Sequence, residues 1–177
     1  MFLQVKEVKM NIFYLHHDPL TCARMHCDKH VGKMILEYSM MLSTAHHECD
    51  GVPSIDCYKS AYKNHPSTIW ARQNYFNYDW LHTLLLHLSK EYTYRYNKVH
   101  ATERKGIVKN LRNRPYEMSR GVGNTTMPQC MPSQYKNKDC SITAYRDYYA
   151  GDKSRFAVWT NRNIPQWYSD RISDGRR

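Results

Sequence analysis

His26, His30, Lys33 and Glu37 follow one another at intervals of four, three and four residues near the start of this 177-residue chain. On a helix, at about 100° per residue, all four fall within roughly 60° of one another. The apolar set around them (Leu20, Ala23, Cys27, Val31, Met34, Tyr38, Met41, Leu42 and Ala45) is centred about 100° away, so the polar stripe runs along the edge of the core. A carboxylate there, beside an ammonium and imidazoles, can titrate usefully and act on a bound substrate. The same residues also make an ordinary solvated face in which Lys33 and Glu37 form an i,i+4 pair. Spacing alone leaves both readings open.

Metal chemistry is the next candidate. Cys22, His26 and His30 recur every four residues, and His16, His17, His26 and His30 would be the set for a zinc-dependent nuclease. No HExxH and no CxxC accompanies them, so neither a metal nor another cofactor is expected. The six cysteines, with no apolar leader ending in small residues, suit a reduced, cytoplasmic protein rather than a disulfide framework. The longest strongly apolar run, Leu84–Leu88, is broken by His87, far short of the ~18 residues of a membrane span.

The charge points to a partner. Lys and Arg number 26 against 16 Asp and Glu, a formal net charge of +10, with the cations scattered through the chain. Such a balance suits a polyanion, nucleic acid or nucleotide. Tyr92-Thr93-Tyr94-Arg95-Tyr96 interleaves aromatic and cationic groups as base stacking beside phosphate contacts requires. Arg72, Arg95 and Lys98 are candidate phosphate contacts, Tyr94 a stacking group, and His26 and Lys29 candidate substrate contacts beside the stripe.

The elements that must position these residues are helical. Val8–Leu15 alternates loosely, which allows a short N-terminal strand. Asp18-Pro19 is a helix start, and the apolar spacing predicts one long helix to about His47. Glu48–Pro66 reads as a loop, and a second long helix begins at Ser67 or Thr68 and continues past Leu88. Thr102–Arg112 predicts a shorter helix capped by Thr102. Asn113–Cys140 is a long ordered loop, Ser141 caps a helix through Tyr149, and a further turn covers Lys153–Trp159. The expected class is all-α: two long helices, two or three short ones, long ordered loops and a possible short strand. Residues 1–168 form a single domain, and 169–177 a loose basic tail.

Asp28-Lys29-His30-Val31, then five residues, then Glu37 has the form D-x-H-[LV]-x5-E. It resembles the first helix of the pyrimidine-dimer DNA glycosylases, the phage endonuclease V type. Pro66-Ser67-Thr68-Ile69 and Phe76-Asn77-Tyr78-Asp79-Trp80-Leu81 are similar to the start of that family's second long helix, and Tyr145–Gly151 to its aromatic C-terminal segment. Asn11–Glu37 and His65–Arg72 also look like uncharacterised phage and bacterial relatives of the family. The resemblance covers about half the chain and is most specific at Asp28–Glu37.

What the resemblance implies is a compact all-α fold, duplex DNA as ligand, and cleavage of a glycosidic bond with an extruded nucleotide. In that family an N-terminal α-amine forms an imine with the sugar and a first-helix glutamate assists; Glu37 matches the glutamate, and His30 a neighbouring histidine. Phe2 follows Met1 and Asn11 follows Met10, so neither methionine is expected to be removed, and residues 1–9 would displace the amine. The imine then falls to Lys29 or Lys33, with Lys33 favoured by sharing a face with Glu37, or activated water replaces it. The leading expectation is a phage-type, DNA-binding enzyme acting on a base or its N-glycosidic bond, with Glu37, His30 and Lys33 catalytic. Its competitors are a non-catalytic binder of a small nucleotide and the zinc-dependent nuclease.

Overall fold

Residues 10–175 are described in the computed structural model of the chain. Asp18 caps the first helix, α1 (Pro19–Met25): its carboxylate accepts from the main-chain N–H of Thr21 at 2.8 Å and from the Thr21 hydroxyl at 2.6 Å. The helix does not run on to His47. His26 and Cys27 are extended, and the chain restarts as α2 (Asp28–Asp50). No proline or glycine stands at the break, so its cause is tertiary. The Arg95 guanidinium takes the carbonyls of His26 (2.8 Å) and Arg24 (3.0 Å), and the Trp159 indole takes that of Met25 (3.0 Å). The Asp28 N–H donates to the Val158 carbonyl at 2.8 Å. Polar groups that a continuous helix would pair internally are paired instead by side chains and main chain far away in sequence.

The second long helix is divided too, into α3 (Pro66–Arg72) and α4 (Tyr75–Tyr96). Asn74 is extended and caps α4 by accepting from the Asn77 N–H at 3.0 Å. The Asn77 side chain reaches back to the Trp70 carbonyl at 2.9 Å, tying the two helices across the break. The helix expected over Thr102–Arg112 is two single turns, α5 (Ala101–Arg104) and α6 (Ile107–Asn110), separated by Gly106 in the left-handed region (φ 78°) and capped by His100 rather than Thr102. Next come α7 (Ser141–Asp152), which starts after Cys140, and a 3-10 turn at Ser154–Phe156.

Two expectations at the chain ends meet a different structure. The described residues contain no strand: residues 10–15 are coil, and Val8 and Lys9 lie outside the described residues. Residues 169–173, read as loose tail, belong to α8 (Gln166–Ser173), because Trp167 and Tyr168 are buried and Arg171 pairs with Asp147 at 2.6 Å. Their apolar anchors precede the polar stretch and were not counted with it.

The long helices α2 and α4 pack along each other, with α1 against α4 and α3 against both; α7 packs on α8. One core runs from Met10 through Leu42, Leu85 and Tyr149 to Tyr168. No helix among the described residues is long and apolar enough to cross a membrane.

Arg95 is the group on which this arrangement turns. Its side chain is fully buried and pairs with Asp28 at 3.0 Å and Glu91 at 3.1 Å. Thr160 also binds Asp28, through its hydroxyl at 2.6 Å and its N–H at 3.0 Å, and Arg162 pairs with Glu91 at 2.6 Å. Removing one partner of a buried ionic network strands the others, at about 3–5 kcal/mol. Arg95→Ala is therefore expected to lower the urea midpoint by that much stability, and a loss under about 1 kcal/mol would show that the break between α1 and α2 needs no guanidinium.

Candidate active site

Asn11–Leu15 lies between α2 and α7 and places an aromatic ring against both histidines of the stripe. Phe13 stacks on His30 at 4.1 Å and meets His26 edge-on at 6.3 Å. His26 is completely buried in the gap between α1 and α2. Its Nδ1 lies 2.8 Å from the Cys22 carbonyl, which can only accept, so the proton is on Nδ1. The bare Nε2 then accepts from the Tyr38 hydroxyl at 2.9 Å, and that hydroxyl accepts from the Phe13 N–H at 3.2 Å. Burial pushes the His26 pKa down to about 4, with the Arg95 charge adding to the effect.

His30 is also buried, its Nδ1 2.5 Å from the Tyr149 hydroxyl, which accepts from the Cys27 N–H at 3.3 Å. Burial first, then the neighbouring charges of His26, Lys153, Lys33 and Lys29, hold its pKa far below the usual imidazole range. It is neutral at physiological pH.

Glu37 sits two turns further along α2. Its Oε1 pairs with Lys33 Nζ at 3.0 Å, but the two groups are not equally wet: the Lys33 side chain is 57 % exposed and that of Glu37 12 %. Oε2 is buried without a hydrogen-bond partner among the described residues. Burial raises the Glu37 pKa, opposed by Lys33 and by the main-chain N–H of Asn11. This is no solvated surface pair. An ammonium holds the carboxyl group through Oε1 while the other oxygen is left to take a proton or face a developing positive charge.

A basic and aromatic rim adjoins His30. Phe156 meets His30 edge-on at 5.5 Å and lies beneath Lys29 Nζ at 4.5 Å and the Arg155 guanidinium at 5.8 Å. Lys153 Nζ lies 4.3 Å above the ring of Tyr148. Phe13, Asn11, Tyr149 and Phe156 were not among the sequence candidates. Only the aromatic run Tyr145–Tyr149 hinted at a contribution from that part of the chain.

Along one edge of α2 the structure pairs Lys33 with Glu37 and sets His30 and Lys29 against Phe156, with His26 beneath Phe13. It does not bring in the α4 candidates. Arg95, expected to meet phosphate, is interior and already paired, because its fork closes the gap between α1 and α2. Tyr94 is half exposed, donates to the Asn161 carbonyl at 3.2 Å and lies under the Arg162 guanidinium at 4.1 Å. Arg72 donates to the Lys63 carbonyl at 2.6 Å, and Lys98 is exposed just beyond α4. His16 and His17 bind the Asp18 N–H and Tyr14 hydroxyl, at 3.0 and 2.9 Å. Among the described residues no group of three or more His, Cys, Asp or Glu could hold a metal ion.

A family model described as pyrimidine dimer DNA glycosylase matches residues 10–104. No curated protein and no solved structure matches the chain. The matched segment contains Asn11, His30, Lys33 and Glu37; Tyr149 and Phe156 lie beyond it.

Neutral buried histidines give the fold an acid limit. Where the folded pKa lies below the unfolded one, stability is complete above the ordinary value of 6.5 and is lost as pH falls. For His26 the window runs from 6.5 down to about 4. Each such histidine adds about 1.36 kcal/mol of lost stability per pH unit inside its window. His26→Gln should flatten the dependence of unfolding free energy on pH by about one proton in that window; an unchanged slope would mean His26 is not held neutral.

Proposed function

The chain belongs to the pyrimidine dimer DNA glycosylase family, and on that premise we propose that it cleaves an N-glycosidic bond in damaged DNA at Glu37. The carrying observation is the carboxyl group itself, largely desolvated, held through Oε1 and without a hydrogen-bond partner at Oε2 among the described residues. As the bond between C1′ and the base nitrogen breaks, the base leaves with the electron pair and positive charge develops on the sugar. A carboxylate held next to C1′ stabilises that charge more than it stabilises the neutral substrate, which is the condition for catalysis.

The nucleophile that then bonds to C1′ is the amine of Lys33, after loss of its proton, 3.0 Å from Glu37 when both are at rest. Attack yields an imine with the opened sugar. Glu37, with a pKa above the ordinary 4.5, is suited to accept a proton in one step and return it in the next. His30 works as a neutral wall and hydrogen-bonding group stacked on Phe13, and His26 acts through Tyr38 as a positioning residue. Lys29 and Phe156 form the side on which an extruded nucleotide would lie, the ring offering a stacking face and the ammonium a phosphate contact.

On duplex DNA that carries pyrimidine dimers, Glu37→Gln should lower turnover on the order of 10²–10³-fold with DNA affinity nearly unchanged. The same variant should be more stable than the unmodified protein at pH 7. A carboxyl group whose folded pKa is raised keeps its full stability only below the ordinary value of 4.5 and loses it as pH rises, so the advantage of Gln should vanish in acid. Undiminished base release by the variant would remove Glu37 from the reaction.

Borohydride added during turnover should link the protein to DNA through Lys33. A link elsewhere would reassign the nucleophile, and turnover without any link would assign it to water.

A further inference from the structure

The net positive charge is less evenly spread than the scatter of Lys and Arg suggests. Of the 26 Lys and Arg, 14 lie in residues 105–177 with 6 of the 16 Asp and Glu, so that segment has net charge +8 and residues 1–104 have +2. The family match ends at residue 104, and most of the net charge lies beyond it. Just after α6, Arg112, Arg114 and Arg120 line one cavity of about 660 Å³ with Tyr75 and Tyr116.

The loop carrying these groups is firmly held. The Asp50 carboxylate, at the end of α2, accepts from the N–H groups of Tyr116 (3.2 Å) and Glu117 (3.0 Å). The Ser119 carbonyl accepts from the Tyr75 N–H at 3.0 Å, and Pro115 and Met118 are buried. Gly121 has φ 65°, and a Cβ there would stand 2.7 Å from Cβ of Asn74, so glycine lets the loop lie directly on the start of α4.

Within this frame the arginines differ. Arg114 forks onto both oxygens of Asp79 at 2.6 Å and covers the ring of Tyr75 at 4.7 Å, so its charge is already paired with a carboxylate of the chain at the surface. Arg112 and Arg120 form no ion pair with a carboxylate among the described residues, and Tyr116 is 87 % exposed.

We infer that this loop is a second DNA contact, in which Arg112 and Arg120 take phosphates of one strand and Tyr116 stacks on an unpaired base. A guanidinium matches phosphate oxygens with paired N–H donors. An exposed ring between two such groups offers the flat face that any base can use. Because the loop is already ordered, little conformational freedom is lost on binding. The inference rests on the reading that DNA is the ligand, and it does not depend on the chemistry at Glu37.

The test is a salt series of binding isotherms with the full chain and a fluorescent duplex carrying pyrimidine dimers next to unpaired bases. Losing two phosphate contacts in the double variant Arg112→Ala, Arg120→Ala should reduce the slope of log K against log[salt] by about 1.8. Tyr116→Ala should weaken binding about tenfold while Tyr116→Phe keeps it. Thermal midpoints should stay with the unmodified protein, since the three side chains are exposed. Glu37→Gln, run alongside, should show the unmodified slope. An unchanged slope in the double variant, or full affinity in Tyr116→Ala, would overturn the loop contact and leave the proposed function standing. No salt-dependent binding by the unmodified protein would overturn both.

Discussion

One guanidinium decides where two helices stop being one. Arg95 approaches from α4 and takes two carbonyls at the end of α1, while its remaining donors meet Asp28 and Glu91. Without those donors the residues between Met25 and Asp28 have every local reason to stay helical. With them, the chain is held extended for two residues, and α2 starts in a new direction. The turn of that start aims His30 and Glu37 toward the segment 10–15 and toward α7. Because Thr160 and Arg162 bind the same two carboxylates, the segment after α7 is locked to the same point. The break between α1 and α2, the start that carries His30, and the segment 158–162 all meet at one buried charge and its partners.

The unusual content of tyrosine and histidine has a structural reason that stacking on bases does not supply. Three buried or nearly buried pairs join an imidazole to a phenol: His26 with Tyr38 at 2.9 Å, His30 with Tyr149 at 2.5 Å, and His46 with Tyr78 at 2.9 Å. Each puts two bulky, partly polar groups into the core and gives each a polar partner, which a lone histidine or tyrosine lacks, although His46 Nδ1 has no hydrogen-bond partner among the described residues. Glu37 is the contrast. Its buried Oε2 has no hydrogen-bond partner among the described residues, whereas the rings of His26 and His30 each meet a phenol. A carboxylate oxygen left unsatisfied in the interior is a place where local stability and function can conflict.

Much of the fold was legible in local signals. Asp18-Pro19 starts α1 because a short acidic side chain and a proline both suit a helix's first turn. The interval from His30 to Glu37 places three polar groups on one edge of α2, and there they are found. The breaks at His26–Cys27 and at Asn74 were not legible from periodicity, since apolar spacing continues across both. The first depends on side chains about 70 and 130 residues distant, and the second shows only as an asparagine cap. Arg95 looked like a surface cation because its neighbours are tyrosines and a lysine. Its burial follows from Asp28 and Glu91 arriving together, which no window of sequence contains. The contributions of Phe13 and Tyr149, which pack on His30, were hidden for the same reason.

The separation of those residues along the chain has a consequence for how the molecule comes into being. The hydrogen bond between His30 and Tyr149 joins positions 119 residues apart, and that between Asn11 and Tyr145 joins positions 134 apart. Contacts so distant along the chain form only after a large loop has closed, a step that slows folding. During synthesis, α1 to α4 emerge long before Tyr145 and Tyr149 exist, and Phe13 and His30 wait with their inner faces uncovered. A polypeptide stopped anywhere before α7 would expose an aromatic, imidazole-lined slot at its centre, a surface for chaperones or for aggregation rather than for DNA.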